Sequence, residues 1–203
     1  SRTVTRCAKV YRNMAQRSFQ KRAQYQEGRK VRGSRQSRAM SKSTSFGRKE
    51  QEAAWKNAEV DALYQLVAAG VRVPQPLGYF DGVLVMELVA DADGNPAPRL
   101  GEVELSPETA REYHAALIRD VVRMLSLGLI HGDLSEFNIL VAADGPVIID
   151  LPQAVDAAGN NHAQAMLARD VNNLRTYFGQ FAPALLETQY AEEIWALYEH
   201  GNL

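Results

Sequence analysis

His131-Gly132-Asp133-Leu134-Ser135-Glu136-Phe137-Asn138, followed twelve residues after its Asn by Asp150 at the end of Val147-Ile148-Ile149, is the stretch on which the reading of this chain turns. Leu127-Gly128-Leu129-Ile130 precedes it and Ile139-Leu140-Val141 follows it, both apolar and strand-like. Asp144-Gly145-Pro146 then signals a tight turn before the second apolar run. The order is therefore loop, strand, hairpin, strand, Asp. Transfer of a phosphoryl group needs a carboxylate near the attacking hydroxyl and oxygen ligands for a magnesium ion that bridges the phosphates. Asp133, Asn138 and Asp150 stand at the spacing that supplies all three.

H-x-D-x-x-x-x-N is shared by protein kinases and by small-molecule phosphotransferases of the aminoglycoside-kinase type, which often carry His-Gly-Asp. Leu134-Ser135-Glu136-Phe137-Asn138 resembles more closely the catalytic loop of the RIO kinases, atypical serine/threonine kinases. Asp150-Leu151-Pro152-Gln153-Ala154-Val155 resembles the metal-binding loop of that family, and the likeness continues through His162, Leu167, Asp170 and Asn173. In all it runs from about Cys7 to Phe178.

The resemblance implies an α+β, two-lobed protein-kinase-like fold. Its small N-lobe contains a sheet and is incomplete at its start; its C-lobe is short and helical. The whole of 1–203 is then a single RIO kinase-like domain, with residues 1–86 as N-lobe, 87–90 as hinge and 91–203 as C-lobe. ATP and Mg2+ are the implied cofactors. Asp133 is the expected catalytic base, and Asn138 and Asp150 are the expected metal ligands. His131 is expected to brace the loop, and Ser135 either to contact phosphate or to cap the loop. An aspartyl-phosphate is associated with the metal-binding Asp of the family. Asp150 is therefore also a candidate acceptor, which would give ATPase behaviour.

Residues 4–11 alternate as a strand does and include Cys7-Ala8-Lys9-Val10-Tyr11. A strand lysine of this kind in kinases pairs with nucleotide phosphates, and the corresponding RIO stretch reads much like Ala8-Lys9-Val10-Tyr11-Arg12. A helix is predicted from about Arg48 to Ala69, with Ala54, Trp55, Ala58, Ala62, Leu66 and others at helical spacing and Gly70 at its end. Glu59, four residues after Trp55 in the Trp-x-x-x-Glu context of the family, is the expected partner of Lys9; Glu52 is the competitor. Leu77 to Phe80 and Val83 to Met86 read as a hairpin turning at Asp81-Gly82. Met86-Glu87-Leu88-Val89 falls where kinases join their lobes, with Met86 as a core or back-pocket residue and Glu87 and Val89 offering backbone groups to an adenine.

Beyond the hinge, Asp91 to Glu104 is polar and proline-rich and is expected to be a linker or an exposed loop. Ser106-Pro107-Glu108-Thr109 opens a capped helix whose buried stripe is Tyr113, Leu117, Val121, Met124 and Leu125, and which Gly128 stops. Ala163–Phe178 and Pro183–Tyr198 are predicted helices. His114 and His162 have no neighbours in sequence that would make a metal-ligand set, so packing or surface roles are expected of them.

The composition limits the function classes. No apolar run approaches the roughly 18 residues that span a bilayer, and no signal peptide is visible, so a cytoplasmic protein is expected. One cysteine, Cys7, cannot form an internal disulfide or a cysteine zinc cluster. The net charge of −1 conceals a strong segregation. Residues 1–56 hold 16 of the 23 Lys and Arg and three acids, a net of +13, and the remainder balances to −14. Residues 28–49 carry eight of those bases, no acid and almost no aliphatic side chain, which reads as a long loop. Contact of residues 1–56 with RNA or a ribosomal particle and a merely solvated basic loop both fit that charge.

Two features depart from ordinary kinases. No G-x-G-x-x-G precedes Lys9, and Gly28 and Gly33 come after it. No Ala-Pro-Glu follows Asp150, after which only 53 residues remain. The RIO kinases also lack the activation segment and peptide-docking helices of ordinary protein kinases, so the substrate, expected to be a protein, is left unnamed. A small-molecule phosphotransferase and an ATP-gated RNA- or ribosome-binding module are the alternatives.

Overall fold

The computed structural model describes residues 5–10, 59–151 and 155–203. The basic run 28–49, the N-terminal part of the helix predicted from Arg48, and Glu52 lie outside the described residues.

Three antiparallel strands form the first sheet: β1 (Arg6–Val10), β2 (Pro76–Phe80) and β3 (Val83–Glu87), in the order β1-β3-β2. Alternation along β1 places Cys7 and Lys9 on its half-buried face, and Lys9 lies opposite the fully buried Leu84 of β3. The β2–β3 hairpin turns as predicted. Asp81 and Gly82 have φ of 48° and 80°, the left-handed pair that a two-residue turn needs to match the strand twist. Residues 59–68 are helical (α1) and turn Glu59, Val60, Leu63 and Leu66 inward.

The second part is mostly helical. Helix α2 (Pro107–Ser126) starts as the sequence predicts, with the Ser106 side chain accepting the Thr109 N–H at 3.1 Å and Pro107 in the first turn. Its stripe of Leu117, Val121, Met124 and Leu125 is buried, and Tyr113 is half-buried. Three short strands follow: β4 (Leu129–Ile130) and then the expected hairpin of β5 (Ile139–Ala142) with β6 (Gly145–Ile148). Strand β7 (Val155–Asp156) pairs back onto β4. Helices α3 (Ala163–Gly179) and α4 (Tyr190–Glu199) complete the chain. The α+β, two-lobed arrangement implied by the resemblance is the one observed.

Two expectations need correction. Pro183–Tyr198 is not one helix: Pro183–Glu187 is a 3₁₀ turn, Thr188 is extended at ψ 146°, and α4 begins only at Tyr190. The segment 91–104 is the mostly exposed loop that was one of its two readings, but it is tied down. Leu100 within it is fully buried, the Val141 N–H donates to the Pro98 carbonyl at 2.9 Å, and the Tyr177 hydroxyl donates to the Leu100 carbonyl at 2.7 Å. Finally, the β5–β6 hairpin turns at Ala143-Asp144, while Gly145 and Pro146 already belong to β6, opposite Ala142 and Val141.

A polar joint links the sheet to the helical part. The Arg72 guanidinium donates to both Glu87 oxygens at 3.0 Å and reaches Asp144 at 3.3 Å. The Arg72 N–H donates to the buried Asp120 of α2, and its carbonyl accepts the Ile148 N–H. Arg72 is thus held by groups from both parts. Its guanidinium holds the Glu87 carboxyl below the usual carboxylate range, and its own pKa is raised by the same contact.

One continuous apolar core runs from Leu63, Leu66 and Leu84 through Leu100 and Leu125 to Phe178. Phe178 is fully buried and meets the His114 ring edge-to-face at 5.7 Å. Phe178→Ala is expected to cost about 3–5 kcal/mol through the cavity it opens. Urea unfolding followed by tryptophan fluorescence measures it, and a loss well under 1 kcal/mol would mean that the core does not extend through this ring.

Candidate active site

A cavity of about 510 Å³ opens between the sheet and the helical part, within the size range of small-molecule sites. Its apolar end is walled by Leu84, Met86, Ala97 and Leu140; its polar end holds Lys9, Glu59, Asn138 and Asp150. Residues far apart in sequence meet here. Lys9 Nζ donates to Glu59 Oε1 at 2.6 Å and to Asp150 Oδ1 at 3.1 Å. Glu59, whose side chain is only 2% exposed, is therefore the acid on α1 that pairs with Lys9.

Asp150 adopts a left-handed backbone, φ 63°, directly after the strand that delivers it. Asp and Asn tolerate this region better than other residues with a Cβ. The turn sets the carboxylate at the Lys9 ammonium. Asn138 is set by two contacts: its Nδ2 donates to the Asp133 carbonyl at 2.8 Å, and its own carbonyl accepts the Ile149 N–H at 2.9 Å. With the amide nitrogen so engaged, the Asn138 oxygen is the atom left to ligate.

His131 braces the loop. Its Nδ1 accepts the Asp133 N–H at 3.3 Å, which puts the proton on Nε2, facing the Ile149 carbonyl at 3.0 Å. Burial pushes its pKa down, so it is neutral at pH 7. Ser135 precedes the 3₁₀ turn Glu136–Asn138 and accepts the Asn138 N–H through its backbone carbonyl; its hydroxyl makes no capping bond. Met86 lies in both the core and the cavity wall. The Glu87 N–H is taken by the Gln75 carbonyl at 2.8 Å, and the Val89 carbonyl by the Ala97 N–H at 3.0 Å.

The strongest constraint on the loop comes from Asp170 of α3. This carboxylate, 1% exposed, accepts the Gly132 N–H at 2.7 Å and the Leu134 N–H at 3.0 Å, one with each oxygen. The Arg169 guanidinium and the Asn173 amide take the Gly132 and Leu134 carbonyls. Gly132 sits at φ 80°, a geometry that suits glycine. Burial pushes the Asp170 carboxyl up to about 7 against the pull of the two N–H donors and Arg169. Asp170 and Asn173 enter the sequence reading only through resemblance, with no role attached. Arg72, Asp120 and Arg99 were missed there, because nothing in spacing or composition distinguishes them from surface charges.

Magnesium is usually held by one or two protein ligands together with substrate phosphates. Among the described residues no three His, Cys, Asp or Glu side chains gather as a cage. The Asp150 carboxylate and the Asn138 amide oxygen on one cavity wall fit the substrate-assisted kind of site.

A family model described as the RIO domain matches residues 2–191. The chain belongs to the RIO family. Among relatives, the RIO-type serine/threonine-protein kinase Rio1 of Haloferax volcanii is 42% identical over 127 residues, covering 62% of this chain and 42% of that protein. The human serine/threonine-protein kinase RIO1 is 35% identical over 133 residues, 65% of this chain and 23% of the human protein. Thermoplasma acidophilum Rio1 is 35% identical over 124 residues, 61% of this chain and 63% of that relative. The matches thus span less than half of the first two relatives. A solved kinase domain aligns with TM-score 0.47 and 16% identity over 64% of this chain and 51% of its own. Among the described residues of this RIO domain, no helix is long and apolar enough to cross a membrane.

Two predictions follow from this geometry. Lys9→Met leaves Glu59 buried without its cation and is expected to destabilise the fold by about 3 kcal/mol, a loss that adding Glu59→Gln largely restores. Urea titrations of the two single variants and the double variant test this, and simple additivity would show the pair to be uncoupled. For Asp170, a folded pKa near 7 lies above the unfolded value of about 3.9. Its protonation therefore contributes stability that is complete below about pH 4 and is lost as pH rises through 7. The stability of wild type relative to Asp170→Asn should fall between pH 5 and 7 by about 1.4 kcal/mol per unit at most. A flat difference would show that the carboxyl does not titrate in that window.

Proposed function

We propose that the chain is an ATP-dependent, Mg2+-requiring serine/threonine protein kinase of RIO type, with ATPase turnover as a second outcome of the same site. The observation that carries this is the Lys9 ammonium bridging Glu59 at 2.6 Å and Asp150 at 3.1 Å on the wall of a cavity shared with Asn138. Family membership and the names of the relatives support a protein substrate over the small molecule of an aminoglycoside-type phosphotransferase.

The apolar end of the cavity takes the adenine, with Met86 behind it. The Glu87 carbonyl and the Val89 N–H are the backbone groups offered to its edge, since the opposite group of each residue is already engaged. Lys9, held by Glu59, neutralises phosphate oxygens. Asn138 and Asp150 would hold Mg2+, which would offset the negative charge of the phosphates. Asp133 orients the substrate hydroxyl and accepts its proton; His131, neutral and doubly anchored, keeps that loop in place. Ser135, its hydroxyl not used as a cap, contacts phosphate. Where no hydroxyl acceptor is bound, an Asp150 oxygen attacks the terminal phosphorus of ATP as its bond to the ADP oxygen breaks, and water then hydrolyses the acyl phosphate to free phosphate and the Asp150 carboxylate. The single-domain division into 1–86, 87–90 and 91–203 belongs to the same proposal. So does contact of basic residues 1–56 with RNA or a ribosomal particle, which rests on charge segregation alone.

Asp150→Asn is the test of choice, because Asn accepts the left-handed backbone that Ala would strain. Incubation with labelled ATP and Mg2+ is expected to show phosphate release or self-phosphorylation by the wild type. The variant should lose about 100-fold or more of it with an unchanged far-UV spectrum. Wild-type turnover in the variant would remove Asp150 from the reaction. Acid-labile label on the wild-type protein would identify an acyl phosphate.

A further inference from the structure

Behind the apolar end of the cavity lies an ion cluster to which the proposed mechanism assigns no role. Glu87 lines the cavity, whereas its partners Arg72, Asp120 and Asp144 do not. Arg72 belongs to the chain between α1 and β2, yet its main chain is fastened to the other part of the molecule. Its N–H donates to Asp120 Oδ2 of α2 at 3.3 Å, and its carbonyl accepts the Ile148 N–H of β6 at 2.9 Å. Asp120 is buried and is itself tied by the Arg123 guanidinium at 2.8 Å. From this anchor the Arg72 guanidinium donates to both Glu87 oxygens at 3.0 Å and to Asp144 at 3.3 Å. Glu87 is held again by Gln75, whose N–H donates to the carboxylate at 3.1 Å and whose carbonyl accepts the Glu87 N–H at 2.8 Å. Two residues on, the Val89 carbonyl accepts the Ala97 N–H at 3.0 Å. The Glu87 carbonyl and the Val89 N–H, the groups assigned above to the adenine edge, thus lie between two fixed points.

We propose that Arg72 is a positioning residue for the nucleotide: by gripping the Glu87 carboxylate from the helical part, it fixes the direction of the Glu87 main chain and so sets the affinity of the site. Arg72 touches neither the nucleotide nor a reacting atom. The inference rests on the nucleotide-binding reading above and goes beyond it, because it puts a determinant of affinity outside the cavity. Exposure argues for a local role. The Arg72 and Glu87 side chains are 33% and 28% exposed and that of Asp144 is 66% exposed. Ion pairs this open to water add little to global stability. Geometry argues for control of direction. Two parallel guanidinium donors on one carboxylate fix orientation as well as distance, which a single point charge does not. Freedom already removed from a binding segment is not lost again when the ligand arrives, so a preset main chain raises affinity without any new contact.

The test measures the Kd for ADP with Mg2+ by calorimetry, and KM and kcat for ATP, on the full chain. Arg72→Met keeps the apolar stem and removes the donors. It is expected to raise the Kd for ADP and the KM for ATP by about fivefold, the lower end of coupling between distinct sites. Its kcat should be unchanged, or raised if product release is limiting. Glu87→Gln should raise the same Kd, and the double variant should do no worse than the weaker-binding single variant, because the two act as one pair. Asp144→Asn removes only the exposed end of the cluster and should shift the Kd in the same direction by about twofold. It decides the matter if Arg72→Met does not fold, an unchanged Kd then overturning the proposal. A purely structural role would lower kcat and thermal stability together and leave the Kd as it was; that result overturns the proposal, as does simple additivity in the double variant. In either case a wild type that binds ADP leaves the nucleotide reading standing. A wild type that binds neither ADP nor ATP overturns this inference and that reading together.

Discussion

A loop that is neither helix nor strand has to find partners for its backbone groups, and here a single buried carboxylate supplies two of them. Asp170 takes the Gly132 and Leu134 N–H groups, one on each oxygen, from a helix that lies 36 residues or more further along the chain. An isolated carboxylate would be costly at 1% exposure. The N–H donors and the neighbouring Arg169 offset that cost, and the same bonds fix the course of the segment from His131 to Asn138. The placing of Asn138 at the polar end of the site follows from that course. The Asp133 carbonyl meets the Asn138 amide, and the Asn138 carbonyl accepts the N–H of Ile149, the residue before Asp150.

The second requirement is that the sheet and the helical part keep a fixed relation across the cavity. The shared apolar core does most of this without direction, and two polar clusters add direction. Lys9 spans Glu59 of α1 and Asp150 of the helical part. Arg72 spans Glu87 at the end of β3, Asp144 in the β5–β6 hairpin and, through its backbone, Asp120 of α2. The two clusters differ in energetic character. The Glu59 side chain is almost fully buried, so loss of its cation strands a charge; the Arg72 cluster is partly solvated and screened, so its value lies in geometry more than in stability. Lys9 is thus a point of contact between the sheet side and the helical part across the cavity.

Much of this was legible in the residues themselves, for local reasons. Ser106 and Pro107 open α2, Asp81-Gly82 closes a hairpin, and the apolar runs around His131 to Asn138 become short strands, because caps, turn residues and alternation act within a few positions of themselves. Asn138 and Asp150, singled out by their spacing in the sequence, both line the cavity, and the choice of Glu59 over Glu52 rested on the family context of Trp55 and agrees with the contact seen to Lys9. Boundaries set by weak local signals went astray: α4 starts at Tyr190, because an extended Thr188 separates it from the turn that Pro183 begins. The segment 91–104 looked like a linker or an exposed loop by composition, yet it buries Leu100 and carries Arg99 into the cavity.

What the sequence alone determined was the set of chemical groups and their order along the chain, since motif spacing and periodicity are short-range properties. What only the tertiary structure decided was their company. Asp170, Arg72, Asp120 and Arg99 are ordinary charged residues in the sequence, and each acquires its meaning from a partner 36 or more positions away. Burial of a charge, the direction of a donor and the neutrality of His131 depend on the low-dielectric surroundings that folding assembles, and no local pattern of residues encodes them.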